Sequence, residues 1–108
     1  MTRIYLSGPI TGNENYTNYF AKAEIEAMEL FGGADKVDII NPANLRYVMP
    51  KDATWDEYMK VCTELLDMVG SDGIIYMLPG WKTSAGACVE YGFARAIGMA
   101  IVKAKGAE

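Results

Sequence analysis

Short apolar runs and longer stretches with helical spacing alternate along this chain. Arg3–Ser7 is an apolar strand closed by Gly8-Pro9. A helix is predicted to begin between Asn15 and Thr17. Its Tyr16, Phe20, Ala23, Ala27, Leu30 and Phe31 recur every three or four residues, and Gly32-Gly33 ends it. Val37–Ile40 is a second strand, closed by Asn41-Pro42. Thr54 and Glu57 form a capping box ahead of a stripe made by Trp55, Tyr58, Met59, Cys62, Leu65, Leu66 and Val69. Gly73–Leu78 is continuously apolar, as expected of a strand covered on both faces. Pro79-Gly80 stops it, a helix spans Ser84–Gly98, and Met99–Val102 is a last strand.

Strand and helix in alternation imply right-handed crossovers and a parallel sheet covered on both sides. The expectation is one small three-layer α/β domain, flavodoxin- or Rossmann-like, with four parallel strands, or five. In such sheets ligands bind beyond the carboxyl ends of the strands, where the strand order reverses.

Composition narrows the chemistry. The 108 residues suit one domain, and a net charge of −4 without a basic cluster argues against a nucleic-acid polymer as partner. No apolar run is long enough to span a bilayer, and Met1-Thr2-Arg3 leads into a strand rather than a signal peptide. Cys62 and Cys88 lack Cys-x-x-Cys spacing and read as reduced thiols of a cytoplasmic protein. The chain has no histidine, which removes histidine-dependent triads and makes a zinc site improbable. No cofactor is expected. Carboxylates, hydroxyls, lysine and backbone dipoles remain.

Among these, Glu90 stands out. In a helix its neighbours one turn away are Gly86, Ala87, Phe93 and Ala94, and Arg95 lies well round the cylinder. A helix apolar on nearly all sides is expected to be buried, and a buried carboxylate needs a partner from elsewhere or a ligand.

Three segments fall on the carboxyl edge. Ser7–Gly12 is glycine-rich and reads as a plain turn or a ligand loop, without the pattern of a Walker loop or a dinucleotide fingerprint. Asn41–Asn44 reads first as a turn. Leu78–Ser84 leads into the Glu90 helix, where Ser84 is a natural N-cap. With the amides of Ala85 and Gly86, Ser84 could also hold a phosphate. Trp81 could equally cover the sheet edge. Ser84 and Glu90 are about 9 Å apart along the axis at 1.5 Å per residue, close to the span from a 5′-phosphate to an anomeric carbon.

The segments Ile4–Gly12 (Ile-Tyr-Leu-Ser-Gly-Pro-Ile-Thr-Gly) and Leu78–Glu90 (Leu-Pro-Gly-Trp-x-x-Ser-x-Gly-Ala-x-x-Glu) together resemble the nucleoside 2-deoxyribosyltransferase superfamily, and a small branch of it most closely. That superfamily also contains nucleoside 5′-monophosphate N-glycosidases. The resemblance implies that Glu90 is the nucleophile and that Tyr5 lies beside it. It implies a phosphate-binding serine at Ser84, where the nucleoside transferases have an aspartate. It also puts a further carboxylate at Glu64, eight residues before Asp72, with Glu64 or Asp72 as proton donor to the base. Gly8, Ile10, Thr11, Gly12, Asn41, Trp81, Ser84 and Gly86 are the expected substrate contacts. Thr11 stands where some of the hydrolases place an arginine.

The implied activity is cleavage or transfer at the N-glycosidic bond of a nucleoside or, preferentially, its 5′-monophosphate, in a protein expected to be a homo-oligomer. The rival from another class is a nucleotide-binding module with the same pocket and no turnover. A phosphoribohydrolase and a subunit-interaction domain are lesser alternatives.

Overall fold

The computed structural model describes all residues from Met1 to Glu108. Four strands, β1 (Thr2–Ser7), β2 (Val37–Ile40), β3 (Ile74–Met77) and β4 (Ala100–Lys103), alternate with three helices, α1 (Tyr16–Leu30), α2 (Trp55–Val69) and α3 (Ala85–Ile97). Short 3₁₀ turns at Pro42–Tyr47 and Trp81–Thr83 lead toward α2 and α3. The sheet is entirely parallel in the order β2-β1-β3-β4, so this is the expected small Rossmann-like α/β domain. It has four strands and no fifth.

Strand alternation divides the core. Ile4, Leu6 and Tyr76 point to one face, where Phe20, Ala23 and Ala27 of α1 cover them. Tyr5, Ile75 and Met77 point to the other, against Cys62, Leu66 and Val69 of α2 and Ala87 and Ala94 of α3. Strand β3 is therefore apolar at every position because a helix layer covers each side.

The local signals act as written. Both halves of the Thr54–Glu57 capping box form, at 3.1 and 2.9 Å. After α1, Gly32 and Gly33 take positive φ, which a side chain at Cβ disfavours. One expectation is corrected. Helix α3 is not buried all round: Ala85, Cys88, Val89, Gly92, Arg95 and Ala96 face outward. Its outer side chains are mostly small, so leaving them in water costs little.

The chain leaves β1 toward β2 on one side and returns through α2 to β3 on the other. The strand order thus reverses between β1 and β3. At their carboxyl ends the Leu78 amide donates to the Ser7 carbonyl at 2.8 Å, and the backbone then turns outward on both sides. A Cβ at Gly8 would lie 2.8 Å from Leu78 Cβ, so this close pass of the two chains requires glycine. The divergence opens a cleft at the point expected for a doubly wound sheet.

Candidate functional site

The cleft encloses about 540 Å³. The loop after β1 contributes Gly8, Ile10 and Thr11, and the turn after β2 contributes Pro42. Trp55, Tyr58, Met59 and Cys62 of α2 form one wall, and Thr83–Ala87 at the start of α3 form another. Glu90 also lines the cleft and is the only lining residue with a formally charged side chain.

Glu90 is on the inner face of α3, only 6% exposed. Residues two apart on a strand share a face, so Tyr5 and Ser7 of β1 both turn toward it. The Tyr5 hydroxyl donates to Oε2, and the Ser7 hydroxyl donates to Oε1 at 2.7 Å. Tyr5 and Ser7 are themselves fully buried. The isolation seen in the sequence is thus resolved by two neutral donors from the opposite end of the chain, and no cation takes part.

Burial disfavours the carboxylate and the two hydroxyls favour it. Burial dominates, so the Glu90 carboxyl is raised from 4.5 to about 7. The same burial, reinforced by the nearby carboxylate, holds the Tyr5 phenol well above its usual range. Cys62 lies against Tyr5, and burial pushes its thiol up to about 11. Around neutrality the centre therefore combines a carboxyl near its midpoint with a phenol and a thiol that keep their protons.

Ser84 caps α3 as its position implies, accepting from the Ala87 amide at 3.2 Å. Its hydroxyl proton is left free to donate. The amides of Ala85 and Gly86, in the first turn, lie beyond the reach of intrahelical acceptors, and both residues line the cleft. A Cβ at Gly86 would sit 3.1 Å from Met59 Sδ, so the bare backbone lets α2 pass close to the mouth of α3.

The cleft brings together Glu90, Gly8, Ile10, Thr11, Ser84 and Gly86, with Tyr5 directly beneath. Other expected site residues lie elsewhere. Glu64 is exposed on α2 and does not line the cleft. Lys60, one turn from Glu64 on α2, pairs with Asp56 at 3.2 Å in solvent. Asp72 is exposed just before β3, at the amino edge of the sheet, while the cleft opens at the carboxyl edge. Gly12 forms an exposed turn, with φ of 80°. Asn41 caps the 3₁₀ turn after β2, accepting from the Ala43 amide at 3.0 Å and donating to Glu24 at 3.1 Å. Trp81 is buried behind the cleft, stacked on Tyr91 at 4.6 Å, with its indole N–H unpartnered.

Sequence reasoning missed Ser7 as a carboxylate partner, although its alternation with Tyr5 was a usable sign. It also missed Tyr16, Tyr58, Met59, Cys62 and Thr83 as lining residues. Helical spacing could have revealed those on α2, because Trp55, Tyr58, Met59 and Cys62 follow the stripe already recognised.

A family profile described as Domain of unknown function (DUF4406) matches residues 2–103, which takes in every strand, every helix and the whole cleft. The chain belongs to this DUF4406 family. No curated protein and no solved structure matches it.

No three His, Cys, Asp or Glu side chains gather as a metal site. No helix is long and apolar enough to cross a membrane.

Proposed function

We propose that this DUF4406 protein cleaves the N-glycosidic bond of a deoxynucleoside 5′-monophosphate, with Glu90 as nucleophile. One observation carries the reading: a buried carboxylate on the floor of a cleft, with each oxygen held by a hydroxyl and the first turn of α3 above it. The two hydrogen bonds fix the orientation of the carboxylate and partly offset its desolvation. Lone pairs remain on both oxygens for attack.

In this reading the phosphate meets the Ala85 and Gly86 amides and the Ser84 hydroxyl, where the helix dipole favours an anion. The sugar then lies over Glu90. As the C1′–N bond breaks, its electron pair leaves with the base and Glu90 forms an ester at C1′. A 2′-deoxy sugar is favoured because no 2′-hydroxyl withdraws electrons from the developing cation. The resemblance to N-glycosidases supports the same assignment of Glu90, Tyr5 and Ser84. Water or a second base would resolve the ester.

The test is a panel of nucleosides and 5′-monophosphates with free base followed by chromatography, run for the wild type and Glu90→Gln. Base release by the wild type and its loss in the variant support the reading. Equal release by both would end the nucleophile assignment.

A second reading is favoured by a specific observation: Glu64 and Asp72 both lie outside the cleft, so neither can protonate a departing base. The protein would then bind a nucleotide without turnover, and thermal stabilisation with no base release is its signature. In either case the proposed setting is the cytoplasm, in keeping with two free cysteines. A homo-oligomer would cover exposed apolar side chains such as Tyr47, Val48 and Met68.

A further inference from the structure

Breaking a bond between carbon and a base nitrogen leaves charge on the base, and a positioned proton donor typically speeds such a step by about 10²–10⁴. With Glu64 and Asp72 outside the cleft and Glu90 committed to attack, the donor must be sought among the lining side chains. We infer that the hydroxyl of Tyr58 is the proton donor to the departing base. The inference rests on the glycosidic reading of the cleft.

The other protic groups are each otherwise placed. The Thr83 hydroxyl donates to the Gly80 carbonyl at 2.9 Å. Ser84 belongs to the mouth of α3, where the phosphate is held. Cys62 lies below, against Tyr5, with its thiol raised by burial. Thr11 stands on the loop after β1. Tyr16, at the start of α1, lines the cleft too, but its ring packs against the core cluster on the α1 side of the sheet, while Glu90 belongs to the α2 and α3 side.

Tyr58 differs in position. It lies one turn before Cys62 on α2, and Cys62 touches the Tyr5 hydroxyl that binds Glu90. The Tyr58 Cα therefore lies about 6 Å along the helix from that of Cys62, and its side chain lines the wall of the cleft formed by α2. A sugar seated over Glu90 would present its base to this wall. Tyr5, Ser7 and Thr83 have engaged hydroxyls, whereas that of Tyr58 is free to turn to a ligand.

The C1′–N electron pair goes to the base, and the Tyr58 proton moves to a base nitrogen or oxygen as Glu90 bonds to C1′. Water then adds its oxygen to C1′, its released proton restores the Tyr58 phenol, and Glu90 leaves as a carboxylate. The net change is hydrolysis to sugar phosphate and free base.

The test compares a purine deoxynucleoside 5′-monophosphate with its 7-methyl counterpart, whose cationic base departs without taking up a proton. Wild type, Tyr58→Phe and Tyr16→Phe are assayed on both, with folding checked by thermal unfolding. Tyr58→Phe is expected to lose at least about a hundredfold in kcat on the first substrate and less than about threefold on the second. Tyr16→Phe should show no such difference. An equal loss on both substrates, no loss, or a selective loss in Tyr16→Phe instead would overturn the assignment of Tyr58. A wild type inactive on both substrates would overturn the glycosidic reading beneath it.

Discussion

Ser7 and Glu90 stand 83 positions apart in the chain, yet the serine hydroxyl donates to the glutamate Oε1 at 2.7 Å with both side chains buried. This contact and its Tyr5 counterpart offset part of the burial that raises the carboxyl. Removing the hydroxyl by Ser7→Ala takes away a bond to the charged form, so the Glu90 pKa should rise further above about 7. The activity–pH midpoint should move upward with it, and stability at pH 8 should fall by about 1–3 kcal/mol. A pH–rate profile and a denaturant titration measure the two effects. An unmoved midpoint would show that the serine does not tune the acid.

Glu90 itself should make the fold pH-dependent. Its folded pKa of about 7 exceeds the ordinary 4.5, so the native state holds the proton more tightly than the unfolded chain. The contribution to stability is full below about pH 4.5, declines between there and 7, and is lost above that. The difference amounts to about 3 kcal/mol. Glu90→Gln should flatten this profile and make the protein more stable at pH 8 while removing activity. Urea unfolding at pH 5 and pH 8 tests it, and a variant less stable at pH 8 would contradict it.

The proposed nucleophile must be ionised to attack, so activity should rise with pH through about 7 as stability declines. A nucleophilic Glu90 would thus work on the less stable side of its own titration. Base release measured from pH 5 to 9 should give an ascending limb with a midpoint near 7. A rate independent of pH across that range would contradict this account of the nucleophile.

The positions of Glu64 and Asp72 make a prediction by their distance from the cleft. Glu64→Gln and Asp72→Asn should each change kcat/KM by less than about threefold, as expected for exposed side chains touching neither ligand nor core. A loss of a hundredfold in either would mean that the residue reaches the ligand after all.

Gly73, by contrast, should matter to the fold alone. A Cβ there would lie 2.3 Å from Val69 Cγ1 and 3.0 Å from the Arg3 carbonyl, where α2 turns into β3. Gly73→Ala should cost about 1–3 kcal/mol through overpacking. Because this turn is at the amino edge, activity per folded molecule should stay unchanged. Thermal unfolding beside an activity assay separates the two.

The layered fold was legible because each element carries its own period and stop signal. The Thr54–Glu57 box and the unbroken apolar run of β3 are clear cases. Glu90 was legible because nothing within a helical turn of it can meet a charge. Of its partners, Tyr5 was expected only from the family resemblance and Ser7 not at all, since the alternation of β1 puts both on one face without saying which helix covers that face.

Glu64 misled for a related reason. At about 100° per residue it is roughly 200° round α2 from Cys62, so a position counted along the chain fell on the opposite side of the cylinder. Trp81 misled because a large aromatic near a ligand loop looks the same in sequence whether it lines the opening or plugs the sheet behind it.

The hydroxyls that hold the acid come from the first strand, and the acid comes from the last helix. A nascent chain can pair β1 with β2 and then β3 while Tyr5 and Ser7 still lack their acceptor, because α3 emerges later. The candidate site therefore cannot assemble before α3 has emerged. Two fragments split between β3 and α3 would each hold half of it, and recovery of base release on mixing them would report that the last helix had docked.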